Sequence, residues 1–141
     1  MKYLPTAAAA VLFAVFNTIA SAQTCTPIEV RNVRPAQGTL MVAVYTSEAD
    51  FMKKPATTMQ VKAADDSIKF SMCLPAATAS VALMLFQDLN DNGKMDSNVL
   101  GIPTEPWGSS GKPSNFGPPS WAAASVAMPV DGAPIVVILS K

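Results

Sequence analysis

Ile68-Lys69-Phe70-Ser71-Met72-Cys73-Leu74 is the stretch on which the fold turns. Apolar side chains at 68, 70, 72 and 74 alternate with Lys69, Ser71 and Cys73. A period of two puts the first set on one face of an extended chain and the second set on the other. A helix would need spacings of three and four, so this segment reads as a strand with one buried face. Asp65-Asp66-Ser67 ahead of it reads as a turn.

The same test extends outward. Thr57–Lys62 carries Met59 and Val61 at alternate positions and reads as an edge strand. Pro55 ends the preceding segment, Ser47–Lys54, which reads as one helical turn capped by Ser47 with Phe51 tucked under the sandwich edge. Thr39–Tyr45 places Leu40, Val42 and Val44 on one face and Met41, Ala43 and Tyr45 on the other. Arg34-Pro35-Ala36-Gln37-Gly38 is a turn, and Thr26–Val33 is the first strand. Downstream, Ser80–Gln87 is apolar on both faces. A helix competes there, because Ala, Leu and Met favour one. The run is short and bracketed by Pro75 and Asn90, so a central strand covered on both sides fits better. Ser125–Met128 and Ala133–Leu139, separated by an Asp131-Gly132 turn, complete about seven strands. With no long amphipathic helix, the fold expected is all-β: a two-sheet antiparallel sandwich in a single domain, residues 23–141.

Residues 1–22 read as a signal peptide. Lys2 is its positive start, Ala7–Phe16 its apolar core, and Ala20-Ser21-Ala22 its small-residue cleavage site, so the mature chain would begin at Gln23. That predicts a periplasmic or secreted protein with no membrane span after cleavage. Gln23 and Thr24 before Cys25 are not the small apolar neighbours that lipid modification of a cysteine needs. Loss of Lys2 leaves ten acidic residues against one fewer basic ones, a net charge of −1 with no basic block, which argues against nucleic acid as a partner. The chain has no His, which removes imidazole acid–base chemistry and imidazole metal ligands. Its two cysteines, Cys25 and Cys73, are expected to form one disulfide in an oxidising compartment. Closing that loop would stabilise the fold by roughly 4 kcal/mol in the chain-entropy model.

Asp88-Leu89-Asn90-Asp91-Asn92-Gly93-Lys94-Met95-Asp96 follows the central strand. The spacing D-x-N-x-N-G matches the opening of an EF-hand calcium loop. Asp88, Asn90 and Asn92 take positions one, three and five, Gly93 the tight turn, the Lys94 carbonyl position seven, and Asp96 position nine. The twelfth position, where a bidentate Glu is needed, is Val99, unless Asp91 or Glu105 folds back to replace it. The competing reading is a tight, ion-free turn built from Asx hydrogen bonds. From Asp96 to about Ala122 the chain has no periodicity but carries many Pro and Gly residues, with Leu100, Ile102, Trp107, Phe116 and Trp121 as apolar anchors. Trp107 and Trp121 either contact a carbohydrate or other small ligand or pin the long segment to the sandwich. Glu105, held between Pro103 and Pro106, is the carboxylate best placed for ligand contact.

Several of these motifs together resemble a family of exported bacterial proteins catalogued as domain of unknown function 2141. They are Gly38-Thr39-Leu40-x-Val42-Ala43-Val44-Tyr45, the strand ending in Asp88 with its N-x-N-G-K-x-D continuation, Gly101-Ile102-Pro103-x-Glu105-x-x-Gly108, and Phe116-Gly117-Pro118-Pro119-Ser120. The resemblance implies an immunoglobulin-like or prealbumin-like sandwich and no established activity. It also implies a His beside the position of Asp88, where this chain has Gln87. The function expected is a non-enzymatic binding module with a weak calcium-type loop. The rivals are an envelope structural or accessory protein with no ion and, behind it, a transthyretin-like hydrolase, a class that relies on His.

Overall fold

The computed structural model describes residues 22–112 and 117–140. Phe116 and the predicted signal segment before Ala22 lie outside the described residues. Among the described residues there are eight strands: β1 Gln23–Arg31, β2 Thr39–Tyr45, β3 Thr57–Lys62, β4 Ser67–Pro75, β5 Ser80–Asp88, β6 Trp107–Ser109, β7 Ser125–Ala127 and β8 Ile135–Ile138. One short helix, α1 Trp121–Ala124, precedes β7. The protein is a β-sandwich. One sheet has the order β4-β1-β8, and the other has the order β3-β2-β5-β6 with β7 also paired to β5.

The alternation at 68–74 sets the first sheet. Ile68, Met72 and Leu74 point inward and Lys69, Ser71 and Cys73 outward. β4 pairs with β1 over nine residues, and the register sets Cys25 directly opposite Cys73. The expected disulfide joins them, with Cα atoms 3.9 Å apart. The second sheet is built around β5, which lies between β2 on one side and β6 and β7, end to end, on the other. That position explains why its sequence is apolar on both faces. The two inner faces meet through Ile28, Val30, Leu40, Val44, Leu83 and Val137, each about 1% exposed or less. Full burial of such side chains contributes roughly 1.5–3 kcal/mol apiece.

Several features depart from the expectation. β1 and β8 pair in parallel, although every other pairing is antiparallel. An eighth strand, β6, forms inside the segment read as aperiodic. Residues 48–53 make turns rather than a helix, because Met52 takes a left-handed φ of 59°. Ser47 still caps them, its Oγ accepting from the Asp50 amide at 3.3 Å, and Phe51 is buried as expected. β1 also begins three residues earlier than read, at Gln23.

Candidate functional site

β5 does not stop at its apolar run; it carries two polar residues into the interior. Gln87 is fully buried, and Asp88 is 2% exposed. The Gln87 carboxamide satisfies the turn between β1 and β2. Its Nε2 donates to the carbonyls of Arg34 (2.7 Å) and Gln37 (2.6 Å), and its Oε1 accepts from the Arg34 amide (2.9 Å). Gly38 ends that turn with φ 66°, and any Cβ there would collide with the Asp88 carbonyl. The turn and the end of β5 are therefore packed backbone against backbone.

From this anchor the loop winds on its own side chains. Asp88 Oδ1 accepts from the Asn92 amide (3.1 Å) and Oδ2 from the Gly93 amide (2.6 Å). Asn90 Oδ1 accepts from the Asn92 amide (3.1 Å), and Asn92 Oδ1 from the Lys94 amide (2.8 Å). The two carboxamides turn their Nδ2 groups onto Asp96, at 2.7 Å from Asn90 and at 3.0 and 3.1 Å from Asn92. Asp88, Asn90, Asn92 and Asp96 thus converge in a single net. Gly93 adopts φ 76° at the tight turn, and Asp91 adopts φ 54°.

Glu105 folds back, as the sequence left open, and it does so from inside. It is 6% exposed. Its Oε1 accepts from the Leu89 amide (2.8 Å) and its Oε2 from the Asp96 amide (3.0 Å), stapling the two ends of the loop together. Asp91 turns the other way. It accepts from Thr39 Oγ1 at 2.7 Å and pairs with Lys62 at 3.6 Å, while Lys62 also donates to Thr39. Among the described residues, Asp88, Asp96 and Glu105 have no cationic side chain in ion-pair contact, so backbone N–H groups and carboxamides balance their charge. The side-chain oxygens gathered here are mixed, the carboxylates of Asp88 and Asp96 and the carboxamides of Asn90 and Asn92, while Lys94 contributes its amide to Asn92. Among the described residues no group of three or more carboxylates, thiols or imidazoles is placed to hold a metal ion.

The aromatic residues do not all join this site. Trp107, in β6, stands opposite Phe86 near the loop end of β5. Its carbonyl accepts from the Ser140 amide (2.8 Å), which ties the two sheets at that edge. Trp121 lies at the far end of the sheet. It packs edge-to-face on Phe51 (5.7 Å, 70°), which packs likewise on Tyr45 (5.2 Å, 78°). Trp121 therefore pins α1 to the sandwich away from the loop. Between loop and β6, the chain closes a small hairpin through Asn98, whose Oδ1 accepts from the amides of Leu100 and Ile102. The hairpin tip leaves Val99 and Leu100 in solvent.

The sequence marks Gln87 only as the place where the family resemblance implies a His, and Thr39 only as a member of a strand motif, with neither of the roles seen here. A polar residue closing an otherwise apolar strand was the signal available for Gln87. Thr39 gave none, since a strand-initiating Thr is ordinary. Comparison with known proteins gives one result: residues 28–135 match the family model described as "Uncharacterized protein conserved in bacteria (DUF2141)". No curated protein and no solved structure matches the chain.

Proposed function

The chain belongs to that bacterial family, whose description names no activity, and on this footing we propose that it is an exported, non-enzymatic binding module whose Asp88–Asp96 loop takes calcium weakly. One observation carries the reading. Four oxygen-bearing side chains at calcium-loop spacing converge in one net with no cationic side chain in contact, and the nearest ion-paired lysine engages Asp91 instead. Calcium takes six to eight hard oxygens, and loops short of the bidentate Glu bind in the range of extracellular modules, with a Kd on the order of 10⁻⁴ to 10⁻³ M. Export is supported by the leader-like first 22 residues and by the disulfide, and the non-catalytic reading by the absence of His.

A second reading has its own support. Both oxygens of Asp88 and both of Glu105 already accept N–H groups, which is what an ion-free scaffold loop needs. Thermal unfolding in calcium and in chelator separates the two. Binding to the native state alone raises stability by about 1.4 kcal/mol at ten times the Kd, a shift of several degrees for a domain of this size. Asp96→Ala, which spares the backbone net, should abolish the shift, and Asp65→Ala, in an exposed turn, should keep it. A wild-type melting temperature indifferent to calcium leaves the ion-free scaffold. For export, the intact mass of protein recovered outside the cytoplasm should begin at Gln23; a retained leader would overturn that part.

A further inference from the structure

The outer face of the five-stranded sheet has a composition that the calcium reading does not use. An open antiparallel face normally carries polar residues. Here β2 and β5 present Met41, Ala43, Met84 and Phe86 on that face, each only partly buried. Two loops add Met52 (49% exposed) and Met95 (38% exposed) at its margins. Together with Met59 they line an open trough of about 670 Å³. Five of the seven methionines among the described residues thus gather at one place. Met59 packs against the main core and Met84 against the cluster of Tyr45 and Phe51, while Met41, Met52 and Met95 pack against neither.

Packing does not require sulfur at these positions. Val and Ile suit strands better, and neither suffers the sulfoxide formation to which exposed Met is prone in an oxidising compartment. Thioethers differ from aliphatic chains in one chemical respect: they are soft, neutral donors that select Cu(I). They are also the only soft donors this chain has to offer, since it has no His and both of its cysteines form the disulfide. The ladder sets Met41 opposite Phe86 and Met84 opposite Ala43, so the two methionines are diagonal neighbours on one face. The Cβ atoms of such pairs lie about 7 Å apart, within reach of two long side chains converging on one ion.

We propose that this trough is a thioether site for a soft monovalent cation, Cu(I), with Met41 and Met84 as strand-borne donors and Met52 and Met95 as donors from the flanking loops. The site selects a different ion from the calcium reading, soft sulfur against hard oxygen, although Met95 belongs to the Asp88–Asp96 loop. The test is titration of the purified protein with Ag(I), a redox-inert stand-in, and anaerobically with Cu(I) against a chromogenic chelator. One ion per chain should bind. Met41→Leu with Met84→Leu keeps the face apolar and should weaken binding by about 10- to 100-fold, whereas Met128→Leu should leave it unchanged. In wild-type protein, the NMR signals of the Met41, Met52, Met84 and Met95 methyl groups should move on adding Ag(I), and those of Met72 and Met128 should not. This second readout holds even if the double variant folds poorly. Absence of stoichiometric binding, binding undiminished in the double variant, or shifts spread over all methionines would overturn the site. A face that captures an apolar peptide equally well before and after the Leu substitutions, and no ion, would also overturn it in favour of protein docking.

Discussion

The two ends of the five-stranded sheet are held by opposite means. At the end where Tyr45 faces Ala82, the outer surface is closed by packing: Tyr45, Phe51 and Trp121 stack edge-to-face above buried Ala82 and Ala124. Burial there pushes the Tyr45 phenol above its ordinary pKa. The disulfide strengthens the same end, because β4 and β5 are joined there by a connection of only four residues, 76–79. At the end where Thr39 faces Asp88, almost nothing apolar is involved. Gln87, Asp88 and Glu105 are buried and act through hydrogen bonds to backbone N–H and C=O groups. The difference has a physical consequence. An apolar closure tolerates change of shape at the cost of buried area, whereas a buried polar closure fails when a partner is removed, because each orphaned group costs about 1–3 kcal/mol. A site for a hard ion such as calcium needs fixed polar groups, and of these two ends the loop end is the one that buries them.

The largest effect should come from the covalent part of the packed end. Cys25→Ala with Cys73→Ala should lower stability by about 4 kcal/mol, and the melting temperature by roughly 15 °C. Calorimetry of the two proteins checks this. A loss below about 1 kcal/mol would mean that aromatic packing alone secures that end. Next in size is Phe51→Ala, which removes the ring shared by both stacks. Large-to-small changes at buried aromatics cost about 3 kcal/mol at the low end of their range, the end expected for a residue on the sandwich rim. Backbone amide shifts of the Asp88–Asp96 loop should stay unchanged in this variant.

The packed end was the more legible in sequence, with one exception. Period-two alternation at Ile68–Leu74 and Leu40–Val44, and two-faced apolarity at Val81–Phe86, identify strands because side-chain burial writes itself into composition. Phe51 was legible as a tucked anchor for the same reason. The exception is α1: four residues, Trp121–Ala124, are too few to show a helical period, and tertiary contact rather than propensity holds them. The parallel pairing of β1 with β8 leaves no trace either, since a strand alternates identically beside a parallel or an antiparallel neighbour. At the loop end the spacing of Asp88, Asn90, Asn92 and Asp96 was legible, because Asx side chains act locally on amides two to five residues away. The clamp was not. Glu105 meets Leu89 and Asp96 through tertiary structure, where β6 pairs with β5, and flanking prolines report stiffness without direction.

Glu105→Ala should therefore cost about 2–3 kcal/mol by orphaning two amides, a little less than Phe51→Ala. Its signature should differ in kind. Hydrogen exchange at Leu89 and Asp96 should accelerate sharply, with the amides of β4 protected as before. Glu105→Gln retains one acceptor oxygen and should recover part of the loss. Should Glu105→Ala leave both amides protected, another acceptor holds the loop and the clamp is redundant.

The smallest effect expected is the most informative about the comparison. If the two ends are mechanically separate, Phe51→Ala and Glu105→Ala must add. β2 runs from Thr39 to Tyr45, six steps of about 3.3 Å, so the two closures stand roughly 20 Å apart. Sites that far apart with no shared partners usually add to within about 0.5 kcal/mol. Phe51 and Glu105 share no hydrogen bond, and the strands between them are held on both sides by full ladders. Denaturant unfolding of the wild type, the two single variants and the double variant gives the coupling directly. A coupling above about 1 kcal/mol would mean that β2 and β5 transmit strain from one end to the other. The packed end would then set the geometry of the loop, and any ligand affinity measured there would have to change with Phe51. Additivity would instead make the loop end a self-contained unit, whose affinity depends on Asp88, Asp96 and Glu105 and on nothing at the far end.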